Sequence, residues 1–337
     1  MNYTLMHMAD GLISVNIGVI FMIISFIMIG LSIRHINQEH DDKKIPMMGV
    51  MGAFVFVAQM INFTIPGTGS SGHIGGGILL CLILGQYPAF LSICSVLIIQ
   101  CLFFGDGGLL ALGCNIFNIG VIPCFIAYPL IVKPLLKKTI NPTRVTLASL
   151  LGVVVGLQLG AFSVVLQTLM SGITELPFIS FVTLMQPIHL AIGIIEGIMT
   201  SAVVLYVLKD KREIIENTIH DHSFSKLDLK KTFTVFAILS VLIGGGLSLY
   251  ASSSPDGLEW SIEGVTGTAD IESSGSTKEL FAKVQEMTSV LPDYNFSGSE
   301  GKFGTSFAGI VGGAATLIFV GGCGYLIVKR RKNEQVN

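Results

Sequence analysis

Residues 74–104 contain no Asp, Glu, Lys or Arg over their whole length. A hydrocarbon core about 30 Å thick takes roughly 20 apolar residues of helix, so this run reads either as one long crossing or as two short ones. The turn-forming cluster Gly85-Gln86-Tyr87-Pro88 interrupts it. Charge decides between the two. With two helices, 17 of the 20 Lys and Arg residues fall on one side (34–44, 133–144, 209–231, 329–332) and 3 on the other (278, 283, 302). With one helix the split weakens to 14 against 6. The positive-inside rule therefore selects two.

The fold class that follows is an all-α polytopic membrane protein in the cell (plasma) membrane, surrounded by lipid. Nine spans are predicted: 11–33, 46–62, 74–86, 88–104, 109–132, 145–170, 187–208, 233–251 and 307–328. Two of them are short and are tolerated inside a bundle. The N-terminus lies outside and the C-terminus is cytoplasmic. Residues 1–10, 63–73, 105–108, 171–186 and 252–306 then share the outer face. Apolar residues at 51%, charged residues at 12%, 39 Gly and a mean hydropathy of +0.73 support this class and exclude a soluble domain. A net charge of −2 without a basic arm excludes nucleic acid as a partner. Cys81, Cys94, Cys101, Cys114, Cys124 and Cys323 all lie in apolar runs without a CxxC pair. They read as packing residues, not as a thiolate zinc site or a disulfide framework. The start lacks the positive region of a signal peptide, so the first apolar segment is expected to be retained.

The polar motifs gather on the outer face. Met6-His7-Met8-Ala9-Asp10-Gly11 leads directly into the first span, and its plain alternative is a frayed, solvated terminus. The loop from Phe63 to Gly77 is glycine-rich and carries His73; it has no lysine, and no P-loop exists in the chain. Gly105-Asp106-Gly107-Gly108 adds a carboxylate, and Asn115 and Asn118 follow it. His189 is expected to open the seventh helix, with Glu196 two turns further on the same face. Glu196 is the one carboxylate well inside a span, and an ionisable residue there is a functional candidate. A stripe of Ala148, Gly152, Gly156 and Gly160 allows close helix contact, within the chain or with another subunit. Residues 209–231, with His220-Asp221-His222, read as a charged cytoplasmic linker. Beyond 251 comes a polar outer loop holding the only Trp, Trp260, read as an interface anchor.

Two loop histidines with carboxylates nearby and no thiolate cluster suit Ni(II), Co(II), Cu(II) or Zn(II), not an oxygen-caged Mg or Ca. The residues alone thus point to a membrane protein that captures a late first-row divalent ion from outside.

At these motifs the chain resembles the substrate-binding membrane subunits of nickel/cobalt energy-coupling factor (ECF) transporters, the CbiM/NikM type. The matching stretches are Met6 to Gly11, Ser70-Ser71-Gly72-His73 with the following glycines, Asp106 through Asn115, and His189 to Glu196. They cover about residues 6–208. Residues 232–332 resemble the small CbiN/NikN partner or its relative, the Pro-Asp-Gly-Leu-Glu (PDGLE) domain, seen here at Pro255 to Glu259. The resemblance implies a fusion: a seven-helix metal-binding domain at 1–208, a linker at 209–231, and a two-helix module at 232–337 around an extracytoplasmic loop. It also implies a nitrogen site formed by an initiator Met amine, the amide and imidazole of the next His, and the loop His, here Met6, His7 and His73. Five residues precede Met6 in this chain, so that its nitrogen would be a peptide nitrogen; either translation begins at Met6, which is the favoured expectation, or the arrangement differs. Asp10, Asp106, Asn115, His189 and Glu196 are then expected to orient the ligands or gate the path. No ATPase motif is present, so separate ATPase subunits and a coupling transmembrane subunit are implied, and Ni2+ or Co2+ is cargo, not a catalytic cofactor. The chain is not an enzyme in this reading; an intramembrane metallopeptidase would need an HExxH helix, which is absent. The alternative is a self-sufficient metal carrier or channel that uses His189 and Glu196 as its path.

Overall fold

The computed structural model describes residues 7–39, 41–268, 275–296 and 302–336. A bundle of seven apolar helices comes first: α1 (Val15–Glu39), α2 (Lys44–Gln59), α3 (Gly77–Leu84), α4 (Gln86–Phe104), α5 (Leu112–Lys137), α6 (Pro142–Ser171) and α7 (Phe178–Asp210). A short α8 (Arg212–Ile219) follows. Two long helices, α9 (Lys230–Gly245) and α12 (Lys302–Val336), enclose α10 (Gly257–Thr266) and α11 (Ser276–Thr288). The only sheet among the described residues is a two-residue ladder of β1 (Phe63–Thr64) and β2 (Ser71–Gly72), with Phe63 opposite Gly72. The chain is an all-α polytopic membrane protein, as expected.

Seven helices among the described residues are long and apolar enough to cross a membrane, and α2 and α3 are shorter. At 1.5 Å per residue α3 is only about 12 Å long, less than the predicted span 74–86 requires. Every α3 residue is buried, so its free backbone ends meet protein instead of lipid. Gly85 at φ +86° links α3 to α4, a conformation that a side chain would resist.

Two structural choices shape the bundle interior. In α5, Pro123 and Pro129 each withhold an N–H, and the turns over Ile116–Val132 widen to π spacing. The small-residue stripe of α6 faces this helix: a Cβ on Gly156 would sit 3.4 Å from Ala127 Cβ, and one on Gly160 would sit 3.1 Å from Asn118 O. The stripe is therefore an internal contact. Between α9 and α12, a Cβ on Gly309 would lie 2.6 Å from Gly244 O, so the two backbones nearly touch.

Residues 209–231 are not the free linker expected from their charge. Ile214, Ile215 and Ile219 of α8 are fully buried, and Phe224 and Leu227 join them in the main core. Arg212 Nη2 donates to Ile140 O at 2.7 Å and Thr218 Oγ1 to Ile83 O at 3.0 Å. His220 and His222 are exposed, while Asp221 pairs with Lys133. The three isoleucines share one face of a short helix whose charges cover the other, a pattern too brief to register as an apolar run. Five cysteines are buried as expected, but Cys323 is exposed.

The opposite end of the bundle collects the N-terminal peptide, the β1–β2 loop, the loop before α5, and α10 and α11. Residues 252–306, read as one polar loop, thus contain two helices and a 3-10 turn at Pro292–Tyr294. Their helical signs are modest: Asp256 begins α10 with a reciprocal capping box to Glu259.

Candidate metal centre

The N-terminal peptide is not a solvated tail. His7 is 4% exposed, and Met8 and Asp10 are buried. Several polar groups of this peptide find partners on the loop before α5 or on α5 itself. Gly108 N donates to Met8 O at 2.9 Å, and Ala111 N donates to Asp10 Oδ1 at 2.9 Å. The Asn115 amide pairs both ways with Met8, accepting from Met8 N at 3.1 Å and donating to Met8 O at 3.2 Å. Asn118 and Gln167 exchange two hydrogen bonds beneath it, at 2.8 and 3.0 Å. Asp10 and Asn115 are accordingly the braces that hold the peptide down. Met6 lies outside the described residues.

His7 and His73 come together from positions 66 residues apart in the chain, with ring centroids 5.6 Å apart and planes inclined by 43°. With metal–nitrogen distances of about 2.0–2.1 Å, two imidazoles on one ion have centroids about 4.5 to 6.5 Å apart, so the pair is spaced to share an ion. His73 Nδ1 lies 3.1 Å from Ile74 O. A carbonyl only accepts, so Nδ1 carries the proton in this contact, and a neutral ring would offer Nε2 to a metal. His7 Nδ1 stands 3.1 Å from Asp106 Oδ1, a charge contact without the alignment of a full hydrogen bond, and His7 Nε2 has no hydrogen-bond partner. Burial alone would lower the His7 pKa, but the Asp106 carboxylate outweighs it and the pKa lies above the ordinary histidine value. For Asp106, burial pulls upward, yet His7 and the Tyr294 hydroxyl hold its pKa below the usual value.

The loop bearing His73 is fixed from below. Gly76 N donates to Glu196 Oε1 at 2.9 Å, and Gln59 Nε2 donates to Gly75 O at 2.9 Å. Glu196 Oε2 is buried without a partner. His189 lies three turns inside α7 instead of at its start, because the helix begins at Phe178. Its Nδ1 is 2.8 Å from Met185 O, which leaves Nε2 unprotonated and turned toward Gly257. His7, His73, His189, Glu196 and Asp256 all line one cavity of about 110 Å³. One water needs only about 10–15 Å³ of such space, so the cavity has room for an ion together with several waters. No three His, Cys, Asp or Glu side chains converge as a metal cluster among the described residues. The side-chain donors are therefore two imidazoles, and further nitrogens would have to come from backbone.

Several residues of this site were not foreseen. Tyr294 OH donates to Asp106 Oδ2 at 2.6 Å. Gln285 Nε2 donates to Gly107 O at 2.6 Å, and Trp260 Nε1 donates to Thr68 O at 3.0 Å. Trp260 thus joins α10 to the His73 loop. The capping box at Asp256 was the one sequence sign that this segment is ordered.

A helical membrane bundle with two imidazoles brought together at one end defines a polytopic membrane protein with a polar cavity of the kind that could hold a metal ion. The comparisons with known proteins make the assignment specific. Residues 7–214 match the family described as the cobalt uptake substrate-specific transmembrane region, and residues 230–329 match the PDGLE domain. A protein of Archaeoglobus fulgidus named as a fused nickel transport protein, NikMN, is 30% identical over 93% of this chain and 96% of its own length. The fused nickel transport protein NikMN of Rhodobacter capsulatus is 32% identical over 36% of this chain and 35% of its own. A crystal structure of a truncated transition metal transporter superposes with a TM-score of 0.54 at 30% identity, covering 61% of this chain and 99% of that one. The chain belongs to the CbiM family of cobalt and nickel transport proteins, is a transporter and not an enzyme, and carries a PDGLE module at its C-terminal end.

Proposed function

We propose that this chain captures Ni2+ or Co2+ at the extracytoplasmic face and delivers it to the cytoplasm as the substrate-binding component of an ATP-driven ECF transporter. The observation that carries the reading is the pairing of buried His7 with half-buried His73, 5.6 Å between centroids, with His7 Nε2 unpartnered in the cavity. Met6 and the His7 backbone nitrogen supply the remaining donors in this proposal. Asp10, Asp106 and Asn115 hold the N-terminal peptide against the loop before α5, and Glu196 holds the His73 loop. His189 and Glu196 line the floor of the cavity and lie on the path the ion takes inward.

The orientation rests on charge. The end of the bundle away from the cavity holds the segments with 17 of the 20 Lys and Arg residues, which favours that end as cytoplasmic. Residues 1–208 form the metal-binding domain and 232–337 the PDGLE module, with 209–231 between them. Energy comes from ATPase subunits through a coupling transmembrane subunit, since the chain contains no nucleotide motif.

The test is the metal content of the purified chain after equilibration with equimolar Ni2+, Co2+ and Zn2+, beside His73→Ala. Near-stoichiometric nickel or cobalt, lost in the variant, is the expected result. Metal retained by His73→Ala overturns the site. Transport by the chain expressed without ATPase and coupling subunits at the full rate would favour the self-sufficient carrier instead.

A further inference from the structure

We propose that the C-terminal module is part of the metal site itself, supplying Asp256 as a carboxylate that balances the charge of the captured divalent ion. This rests on the metal-capture reading of the cavity. Asp256 is buried, at 5% exposure, and lines the cavity that His7 and His73 also line. Burial raises its pKa, and His73 and, more weakly, His7 oppose that rise by favouring its charged form. Its position is set from three sides. Ser71 N donates to Pro255 O at 2.8 Å and Ser71 Oγ to Ser254 O at 2.7 Å, so the segment lies along the strand that leads to His73. On the opposite side, a Cβ on Gly257 would stand 3.0 Å from His189 Cε1 and 2.8 Å from Ile192 Cδ1. A larger residue at 257 would have to displace the Ile192 or His189 side chain, so the segment lies close against α7. The third side is the capping box: Asp256 Oδ1 accepts from Leu258 N and Glu259 N, each at 2.8 Å.

The need for such a carboxylate follows from the donor set. Of the proposed donors, the imidazole and amine nitrogens are neutral and the His7 backbone nitrogen, which binds a metal only after losing its proton, brings one negative charge, so a doubly charged ion taken out of water keeps a net positive charge that its donors do not balance. His7 Nε2 and Glu196 Oε2 are buried without partners, and both residues line the cavity. Asp106 stands beside His7, and Asp256 supplies the matching charge on the His73 side. With Oδ1 already shared by two backbone N–H groups, Asp256 acts across space and not as a donor to the ion. A divalent ion is then held in full only when the PDGLE segment is seated.

The experiment is calorimetric titration of Ni2+ into the purified full chain and its variants. Asp256→Asn keeps an equally good N-cap and removes the charge. Glu259→Gln removes a charge from the same capping box but outside the cavity. Asp256→Asn is expected to weaken Ni2+ binding by at least about tenfold, as for loss of a nearby countercharge in a partly buried site. Glu259→Gln is expected to bind as the parent does, and the Ni2+ ligand-field spectrum of Asp256→Asn is expected to be unchanged. Unaltered affinity in Asp256→Asn overturns the assignment, as does equal weakening by both variants, which would trace the effect to the box. A shifted spectrum makes Asp256 a donor and overturns the charge role. Should Asp256→Asn lower the metal-free unfolding temperature, Asp256→Ser, also an N-cap, replaces it under the same criteria. His73→Ala separates the two readings: Ni2+ retained there sinks metal capture as a whole, whereas Ni2+ lost there with Asp256→Asn unaffected sinks only the role of Asp256.

Discussion

His7 is held by contacts made through Asp106, and Asp106 in turn by the Tyr294 hydroxyl. Tyr294→Phe removes that donor from a buried carboxylate, a loss of about 1–3 kcal/mol. It is expected to lower the unfolding temperature in detergent and weaken Ni2+ binding, both read by titration and scanning calorimetry. Gly107 supplies a sharper test. It sits at φ +78°, and a Cβ there would lie 2.8 Å from His7 Cβ. Gly107→Ala therefore combines left-handed backbone strain of about 1–2 kcal/mol with displacement of the imidazole, and metal binding should be lost while membrane insertion persists. Gly69, at φ +76° with nothing within 4 Å of its Cβ position, is the matched control: Gly69→Ala carries similar strain and should bind normally. Equal effects of the two would mean that strain alone, not contact with His7, governs binding. Among single residues, histidines and carboxylates at helix ends were legible in the sequence because ionisable groups beside apolar runs are costly. Tyr294 and Gln285 were not. Their partners lie 188 and 178 positions away in the chain, and nothing local in either residue marks the pairing.

At the level of elements, hydropathy located every helix of the bundle, because lipid demands continuous apolar runs closed by their own hydrogen bonds. It misjudged lengths where protein, not lipid, surrounds the helix. α3 is half a crossing because its ends are buried, and α7 begins nine residues before the predicted span, which places His189 inside a helix and not at its start. Elements outside the membrane left weaker marks. α8 shows only three isoleucines among charges, yet Ile215 is completely buried in the main core. Ile215→Ala should cost about 2–5 kcal/mol as a cavity, measured as reduced resistance to thermal unfolding. A freely solvated linker would tolerate the change with no loss. α10 was legible only through its capping box, since ten residues with a single strong N-terminal signal resemble a turn as much as a helix.

At the scale of the whole molecule, the PDGLE module is tied to the His73 loop by a row of contacts. Thr64 Oγ1 donates to Ser252 Oγ at 3.0 Å, Ser252 N donates to Asn62 O at 2.7 Å, and Ser71 bonds to Ser254 and Pro255. The pair Thr64→Cys with Ser252→Cys places two sulfurs near bonding distance and should form a disulfide under mild oxidation in membranes, detected as an altered mobility reversed by reductant. The locked chain is expected to exchange bound 63Ni more slowly than the reduced one. Equal exchange would show that the module stays seated as metal enters and leaves. No sequence pattern could have announced this seam, because it is built mostly from backbone groups and small hydroxyls that carry no periodicity.

Trp260, whose indole N–H reaches Thr68 O across that seam, is the only tryptophan in 337 residues. The chain therefore carries a single indole, which can be excited selectively over its seven tyrosines, and it stands at the junction between the two halves. Parting of the junction would wet the indole and move its emission to longer wavelength, so the docking and release of the module can be followed in real time, without a label, in the unmodified protein.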